Sequence, residues 1–266
     1  MKERTISAIL LLLIAIPCLV IGNIPFALLV IAAGVLALRE LFKIIKKSSN
    51  IPLFIEVINY VILLFFIVNN YSKGGIYSLL DYRLLSSLLL VNLVPLVFIN
   101  NKNRYSLKDA FLVIGVVLFL GTSFNLAIVL RTSGLKEIVY LLLITVFNDT
   151  FAYLTGMLIG KHHFTDISPN KTIEGCIGGA VMGTAIASIY YFTLFSTYNM
   201  FLLVVLTFLI SVTSQVGDLV FSYIKREYGV KDFSNLIPGH GGVLDRLDSI
   251  IFALLGFVVF SSLFVV

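Results

Sequence analysis

Residues 200–224 read MFLLVVLTFLISVTSQVGDLVFSYI. A helix rises about 1.5 Å per residue, so this run is long enough to cross the roughly 30 Å hydrocarbon core of a bilayer. Its one charged side chain is Asp218. Ser211, Ser214, Gln215, Asp218 and Ser222 recur at spacings of three and four, which places them on one helix face. A membrane helix with a single polar stripe turns that stripe toward something wet or charged. Lys225 and Arg226 follow at once, so Asp218 is submerged beneath a basic rim.

Eight further apolar runs lie outward from this one, at residues 4–22, 23–42, 51–69, 79–100, 107–130, 136–160, 173–195 and 249–265. The breaks carry Gly22, Asn23 and Pro25, then Lys46 to Asn50 with Pro52, then 72–75, 100–104 and 131–134. The composition agrees. Of 266 residues, 59% are hydrophobic and 12% charged, with a net charge of +5 and a mean hydropathy of +1.05. Soluble domains carry about 25% charged residues. These values exclude a soluble enzyme, a nucleic-acid-binding domain and a disordered chain. The two-residue alternation of an outer-membrane barrel is missing. The sequence therefore predicts an all-α polytopic integral membrane protein with about nine transmembrane helices. Lys2 and Arg4 precede the first run with no small-x-small cleavage site after it, which reads as an uncleaved first helix. Cys18 and Cys176 both fall in apolar runs and read as packing residues.

Orientation follows from the cations, which are retained on the cytoplasmic side. With nine spans, Lys73, Arg83, Arg131 and Lys136 fall on one face and the other 15 of 19 Lys and Arg on the face of the amino terminus. The amino terminus is thus expected in the cytoplasm and the carboxyl terminus outside. The chain also divides by polarity. Residues 1–135 form a scaffold of five spans with few ionisable groups, suited to oligomer contacts. Residues 136–266 hold four spans and the unusual polar residues, arranged around a polar cavity facing the cytoplasm.

Four features inside the runs carry the argument. Asp149, beside Asn148, shares a small and polar face with Thr145, Ala152, Gly156 and Gly160; a packing face explains the glycines, but not the Asp. Asp218 is the second intramembrane acid. Glu56, near the start of the third run, reads as an interfacial or interhelical residue. Gly175, Gly179, Gly183 and Ala187 form a row that close helix packing explains fully.

Two loops on the expected cytoplasmic face are dense in polar groups. Residues 225–248 hold Lys225, Arg226, Lys231 and Arg246 as cations, with Asp245 and Asp248 three apart at the start of the last helix. Gly239-His240-Gly241-Gly242 can bring backbone N–H groups close to an anion. With Asp218, the two acids offer hard oxygen ligands, and Mg²⁺ commonly takes one or two carboxylates together with phosphate oxygens and water. Residues 161–175 hold His162-His163, a weak metal pair and more readily plain surface residues. They also hold Ser168, Lys171 and Thr172, which suit a phosphate or a base. Glu174 stands at a helix start.

The pattern Ser222-x-Ile224-Lys225-Arg226-x4-Lys231-Asp232-x-Ser234-x2-Ile237-Pro238-x-His240-Gly241-Gly242-Val243-x-Asp245-Arg246-Leu247-Asp248 resembles the signature of the CDP-diglyceride synthetase family, the phosphatidate cytidylyltransferases. The stretches 148–153 and 168–175 resemble two further blocks of that family, with Asn170 where a basic residue is common and Ile173 where an aromatic is common. The resemblance covers residues 145–250 well and the first five spans only in hydropathy. It implies a Mg²⁺-dependent, dimeric enzyme of the cell inner membrane that converts CTP and phosphatidic acid to CDP-diacylglycerol and pyrophosphate. Carried over by position, Asp218 and Asp245 are metal ligands with Asp248 the third acid, and three acids suit a second cation, monovalent or divalent. Lys225, Arg226, Lys231 and Arg246 then meet phosphates, and His240, Gly241 and Gly242 the nucleotide. Asp149, Ser168, Lys171 and Glu174 line the opposite wall. Two rivals stand beside this reading. One is another CTP-using lipid enzyme such as a polyprenol kinase. The other is a transporter or channel with Asp149 and Asp218 on an ion path.

Overall fold

The structure, a computed structural model, describes residues 2–69, 81–99, 105–194 and 199–264, without the side chains of 2–4 and 263–264. The breaks expected at 72–75 and 100–104, with Lys73, Lys102 and Arg104, lie outside the described residues. Nine helices follow one another among those described: α1 Lys2–Ile21, α2 Asn23–Ile45, α3 Leu53–Val68, α4 Tyr82–Leu93, α5 Leu107–Ser133, α6 Leu135–Ile159, α7 Ile173–Leu194, α8 Met200–Glu227 and α9 Leu244–Phe264. The fourth run does not form one straight helix. Pro95 lacks an amide to donate, and a separate short turn, Pro95–Phe98, follows α4. Among the described residues α5, α6, α7 and α8 are long and apolar enough to cross a membrane, while Thr5–Ile21, Leu53–Val68 and Tyr82–Phe98 are shorter apolar helices. The protein is an all-helical polytopic membrane protein.

The chain forms two compact units. The first contains Met1–Ser133 and Asp232–Asp245; the second contains Gly134–Lys231 and Arg246–Val266. The sequence division at 135/136 places residues 232–245 with the C-terminal spans. In the structure they belong to the first unit, because groups on α1 and α2 hold them by hydrogen bonds.

The first unit is built on α2, α3 and α5. Leu38, Ile45, Leu63, Ile67, Val117 and Leu120 are buried between them. Polar groups at the helix ends are matched individually. Ser106 and Asp109 form a reciprocal cap at the start of α5, with Ser106 N donating to Asp109 Oδ2 (2.9 Å) and Asp109 N to Ser106 Oγ (3.2 Å). Arg131 reaches back to the end of α1, where its Nε donates to Leu19 O (2.7 Å). Gly22, with φ +72°, makes the turn from α1 to α2. Lys46 forms an ion pair with Glu56, which joins α2 to α3 and gives Glu56 the interhelical role expected of it.

Asn59 on α3 and Asn92 on α4 are fully buried and exchange amide hydrogen bonds (2.9 and 3.1 Å), while each amide also donates to a carbonyl one turn back (2.8 Å). Tyr105 donates to Asn92 Oδ1 (3.3 Å). A paired buried amide is stable where a lone one is not, because the orphan keeps its desolvation penalty. Asn92→Leu is therefore expected to destabilise the protein by about 1–3 kcal/mol. The Asn59→Leu, Asn92→Leu double variant is expected to lose less than that. Thermal unfolding in detergent checks both, and a double variant worse than the single contradicts the pairing argument.

Candidate active site

The second unit begins with the tight pair α6 and α7. The glycine row acts as expected: a Cβ on Gly179 would fall 2.5 Å from Asn148 O, and one on Gly175 would fall 2.7 Å from Ala152 O. Backbone meets backbone here, and only glycine fits. The polar groups of Asn148 are then answered from α8. Asn148 Nδ2 donates to Ser211 O (3.0 Å), and Gln215 Nε2 donates to Asn148 Oδ1 (2.6 Å) and Cys176 O (2.8 Å). One glutamine thus ties three helices together at the stripe the sequence singled out.

Asp218 lies one turn further along that stripe. Its Oδ2 accepts a hydrogen bond from Lys171 Nζ at 2.5 Å, and the two side chains are 28% and 26% exposed, so the pair is substantially shielded from water. The carboxyl of Asp248, on the first turns of α9, is hydrogen-bonded to that of Asp218. Two carboxyl groups in contact require a proton or a cation between them. Lys225 is within electrostatic reach of both acids. Asp149 is within reach of Asp218 and Lys171, and its Oδ2 accepts from Ser249 Oγ at 3.3 Å. Ser249 N also donates to Asp248 Oδ1 (2.8 Å), so this serine bridges two of the acids. The sequence reading missed Ser249; its signal is a hydroxyl directly after Asp248 at a helix start.

Lys171 arrives from a stapled loop. Phe164 N donates to Lys171 O (2.9 Å) and Ile173 N to His162 O (3.0 Å), forming a short antiparallel bridge. Glu174 Oε1 meets His162 Nδ1 at 2.6 Å, and its Oε2 accepts the amides of Lys161 (3.2 Å) and His162 (3.3 Å). His163 Nδ1 donates to Pro169 O (2.8 Å). The two histidines hold the loop through different partners. Ser168 N donates to Thr165 O and Lys171 N to Ser168 O, so Ser168 sits in the turn that delivers Lys171. Arg226 Nη1 donates to Val230 O at 3.4 Å and braces the end of α8, while Lys231 and Arg246 are exposed.

His240, Gly241, Gly242 and Asp245 belong to the first unit. Asp245 Oδ2 accepts the amides of Phe233 and Gly242, both at 2.9 Å. The anion-cradle reading of 239–242 needs correction, because the amides of His240 and Gly241 donate to Ile237 O (2.9 and 3.1 Å) and that of Gly242 to Asp245. The positive φ of Gly239 (+75°) and Gly241 (+85°) serves this internal turn. The sequence reading also missed Ser7 on α1. Its hydroxyl donates to Pro238 O (2.9 Å) and lies 2.8 Å from His240 Nδ1. A hydroxyl has one hydrogen, so with that hydrogen on Pro238 O the imidazole Nδ1–H is the donor to Ser7.

The acids that the structure joins are Asp218 and Asp248. Among the described residues no group of three or more His, Cys, Asp or Glu converges as a ready-made metal cage. A pair of carboxyls fits Mg²⁺, which takes few protein ligands and leaves the rest to phosphate and water. Structural zinc, which asks for four N or S ligands, does not fit.

Fold and site together define a polytopic membrane protein in which acids and a lysine gather at the polar stripe of an apolar helix. More narrowly, the chain belongs to the cytidylyltransferase family, whose model it matches over residues 2–264. It is 36% identical over 257 residues to a protein of Staphylococcus haemolyticus named phosphatidate cytidylyltransferase, a match covering 96% of both chains. Proteins of the same name from Staphylococcus epidermidis and Staphylococcus aureus are each 35% identical, again over 96% of both chains. The match therefore includes the N-terminal helices, where the sequence reading rested on hydropathy.

Gln215 is the keystone of the polar lock beneath the site. Gln215→Leu removes the donor to two acceptors and is expected to lower stability by about 1–3 kcal/mol. The check is thermal unfolding of the purified protein; an unchanged midpoint contradicts the assignment.

Proposed function

We propose that this protein transfers the cytidylyl group of CTP to phosphatidic acid, giving CDP-diacylglycerol and pyrophosphate. The observation that carries the reading is Asp218, in a membrane helix, engaged by both Lys171 and Asp248. Family membership and the name shared by the relatives support the substrate pair.

The chemistry suits the residues. The lipid phosphate is already a nucleophile, so no activated Ser or Cys is needed. One of its oxygens forms a bond to the α-phosphorus of CTP. The bond to the oxygen bridging the α- and β-phosphorus breaks, and pyrophosphate leaves with that electron pair. Catalysis then consists of in-line positioning and charge neutralisation. Asp218 would hold Mg²⁺ with two further acids: Asp245, which the sequence reading ranks first, and Asp248, which lies against Asp218 in the structure; three acids would also accommodate a second monovalent or divalent cation. Bound there, Mg²⁺ supplies neutralisation of triphosphate charge. Lys171 orients Asp218 and gives up part of that contact to a phosphate. Lys225, Arg226, Lys231 and Arg246 bind phosphates, as guanidinium and ammonium groups do. His240, Gly241 and Gly242 serve the nucleotide, the glycines by shaping the turn. Asp149, Ser168 and Glu174 complete the substrate contacts. The protein works as a homodimer in the cytoplasmic membrane, with the amino terminus and these loops in the cytoplasm and the carboxyl terminus outside. The excess of cations on that face supports the orientation.

The test is turnover by the purified protein in detergent, with labelled CTP and phosphatidic acid. Label in CDP-diacylglycerol with equimolar pyrophosphate is expected, abolished by chelator and restored by Mg²⁺. Label only in a phosphorylated polyprenol, or ion flux without CTP turnover, overturns the reading. Asp218→Asn is expected to lower kcat by at least about 10²–10³ while the protein still inserts and folds. Wild-type turnover in that variant removes Asp218 from the site.

A further inference from the structure

Glu40 lies in the last turns of α2, within the stretch VLALRELFKII, and is only 4% exposed. A buried carboxylate without partners is strongly disfavoured. Its partners come from 194 to 204 residues away in sequence. Oε1 accepts from Ser234 Oγ (2.6 Å) and Val243 N (2.8 Å), and Oε2 accepts from Leu244 N (2.9 Å). Gly242 packs so closely over this carboxylate that a Cβ there would fall 2.6 Å from Oε1.

Val243 and Leu244 stand at the start of α9, where helix amides have no partner within the helix. Such a helix start draws anions. In this protein the position is filled from within. Glu40 takes the amides of Val243 and Leu244, Asp245 takes that of Gly242, and Ile237 O takes those of His240 and Gly241. All five consecutive amides from 240 to 244 thus donate inside the first unit. With these amides taken up internally, the shape of the loop depends on a carboxylate from a distant helix.

We infer that Glu40 is a positioning residue for the nucleotide. It stands in for an anion at the start of α9 and holds the 234–244 loop, with His240 on it, in the form that receives the triphosphate. This rests on the CTP:phosphatidate reading above. Glu40 acts through the loop and touches no reacting atom.

The test is Glu40→Gln, which keeps the size but can set an NH₂ group against an N–H donor. The KM for CTP is expected to rise about tenfold, the loss expected from one charge-assisted hydrogen bond. The KM for phosphatidic acid is expected to stay near wild type, the thermal midpoint to fall, as loss of a buried partner requires, and amide exchange across 234–244 to quicken. Ser234→Ala removes one of the three bonds and leaves both amide bonds; a smaller rise in the KM for CTP is expected, which keeps the inference testable if Glu40→Gln fails to fold. An unchanged KM for CTP overturns the inference. So does a fall in kcat that merely follows a lost thermal midpoint, with neither KM moved. A wild-type protein that turns over no CTP overturns the function reading instead. Glu40 is then judged by CTP-induced protection of the 234–244 amides, which must weaken about tenfold in Glu40→Gln; equal protection overturns it.

Discussion

A carboxylate inside an apolar helix persists only where a cation or a proton answers it, and in this protein Lys171 and Asp248 both answer Asp218. Lys171 comes from the loop before α7 and Asp248 from the first turns of α9, so three segments must be held in place for one charge to be tolerated. A cluster of this kind is not an efficient source of stability, because apolar residues of the same volume would pack at least as well. We propose that chemistry needing charge at that depth accounts for it. The acids are positioned before any phosphate arrives, which is the arrangement that charge-neutralising catalysis requires.

The rest of the second unit serves that constraint. The glycine row lets α6 and α7 approach backbone to backbone, which brings Asn148 within reach of Gln215. Gln215 and Asp218 share a face of α8, so fixing the first orients the second. The loop carrying Lys171 is held through Glu174 and both histidines. In the first unit a different device is at work. Glu40 and Asp245 occupy amides that would otherwise attract anions, and the glycines of 239–242 provide the turn and the clearance this needs.

The helices were legible in the sequence because most are apolar runs closed by Gly, Pro or a charge, and run limits fell within a few residues of helix ends except for α4, which ends at Leu93, seven residues before its run limit, and α9, whose polar first turn extends five residues before its run. Pro95 was visible, but its break in the fourth run was not drawn. The polar stripe of α8 was legible from spacing alone. What escaped was non-local. Glu40 lies between Arg39 and Lys43, and nothing near it in sequence signals partners 194 to 204 residues away. Its presence inside an apolar run was the available clue. Ser7 was hidden because a lone hydroxyl carries no pattern, and Ser249 was marked only by its place directly after Asp248. The 239–242 loop was misread for a related reason: glycine content shows that amides are accessible, not which acceptor takes them.

We propose that the acid pair of Asp218 and Asp248 holds the divalent cation that serves CTP. Mn²⁺ substitution followed by electron paramagnetic resonance tests it most directly, on purified protein in detergent with CTP present. A saturable bound-Mn²⁺ signal is expected in the wild-type protein and is expected to be lost in both Asp218→Asn and Asp248→Asn. Undiminished Mn²⁺ binding in both variants would contradict it.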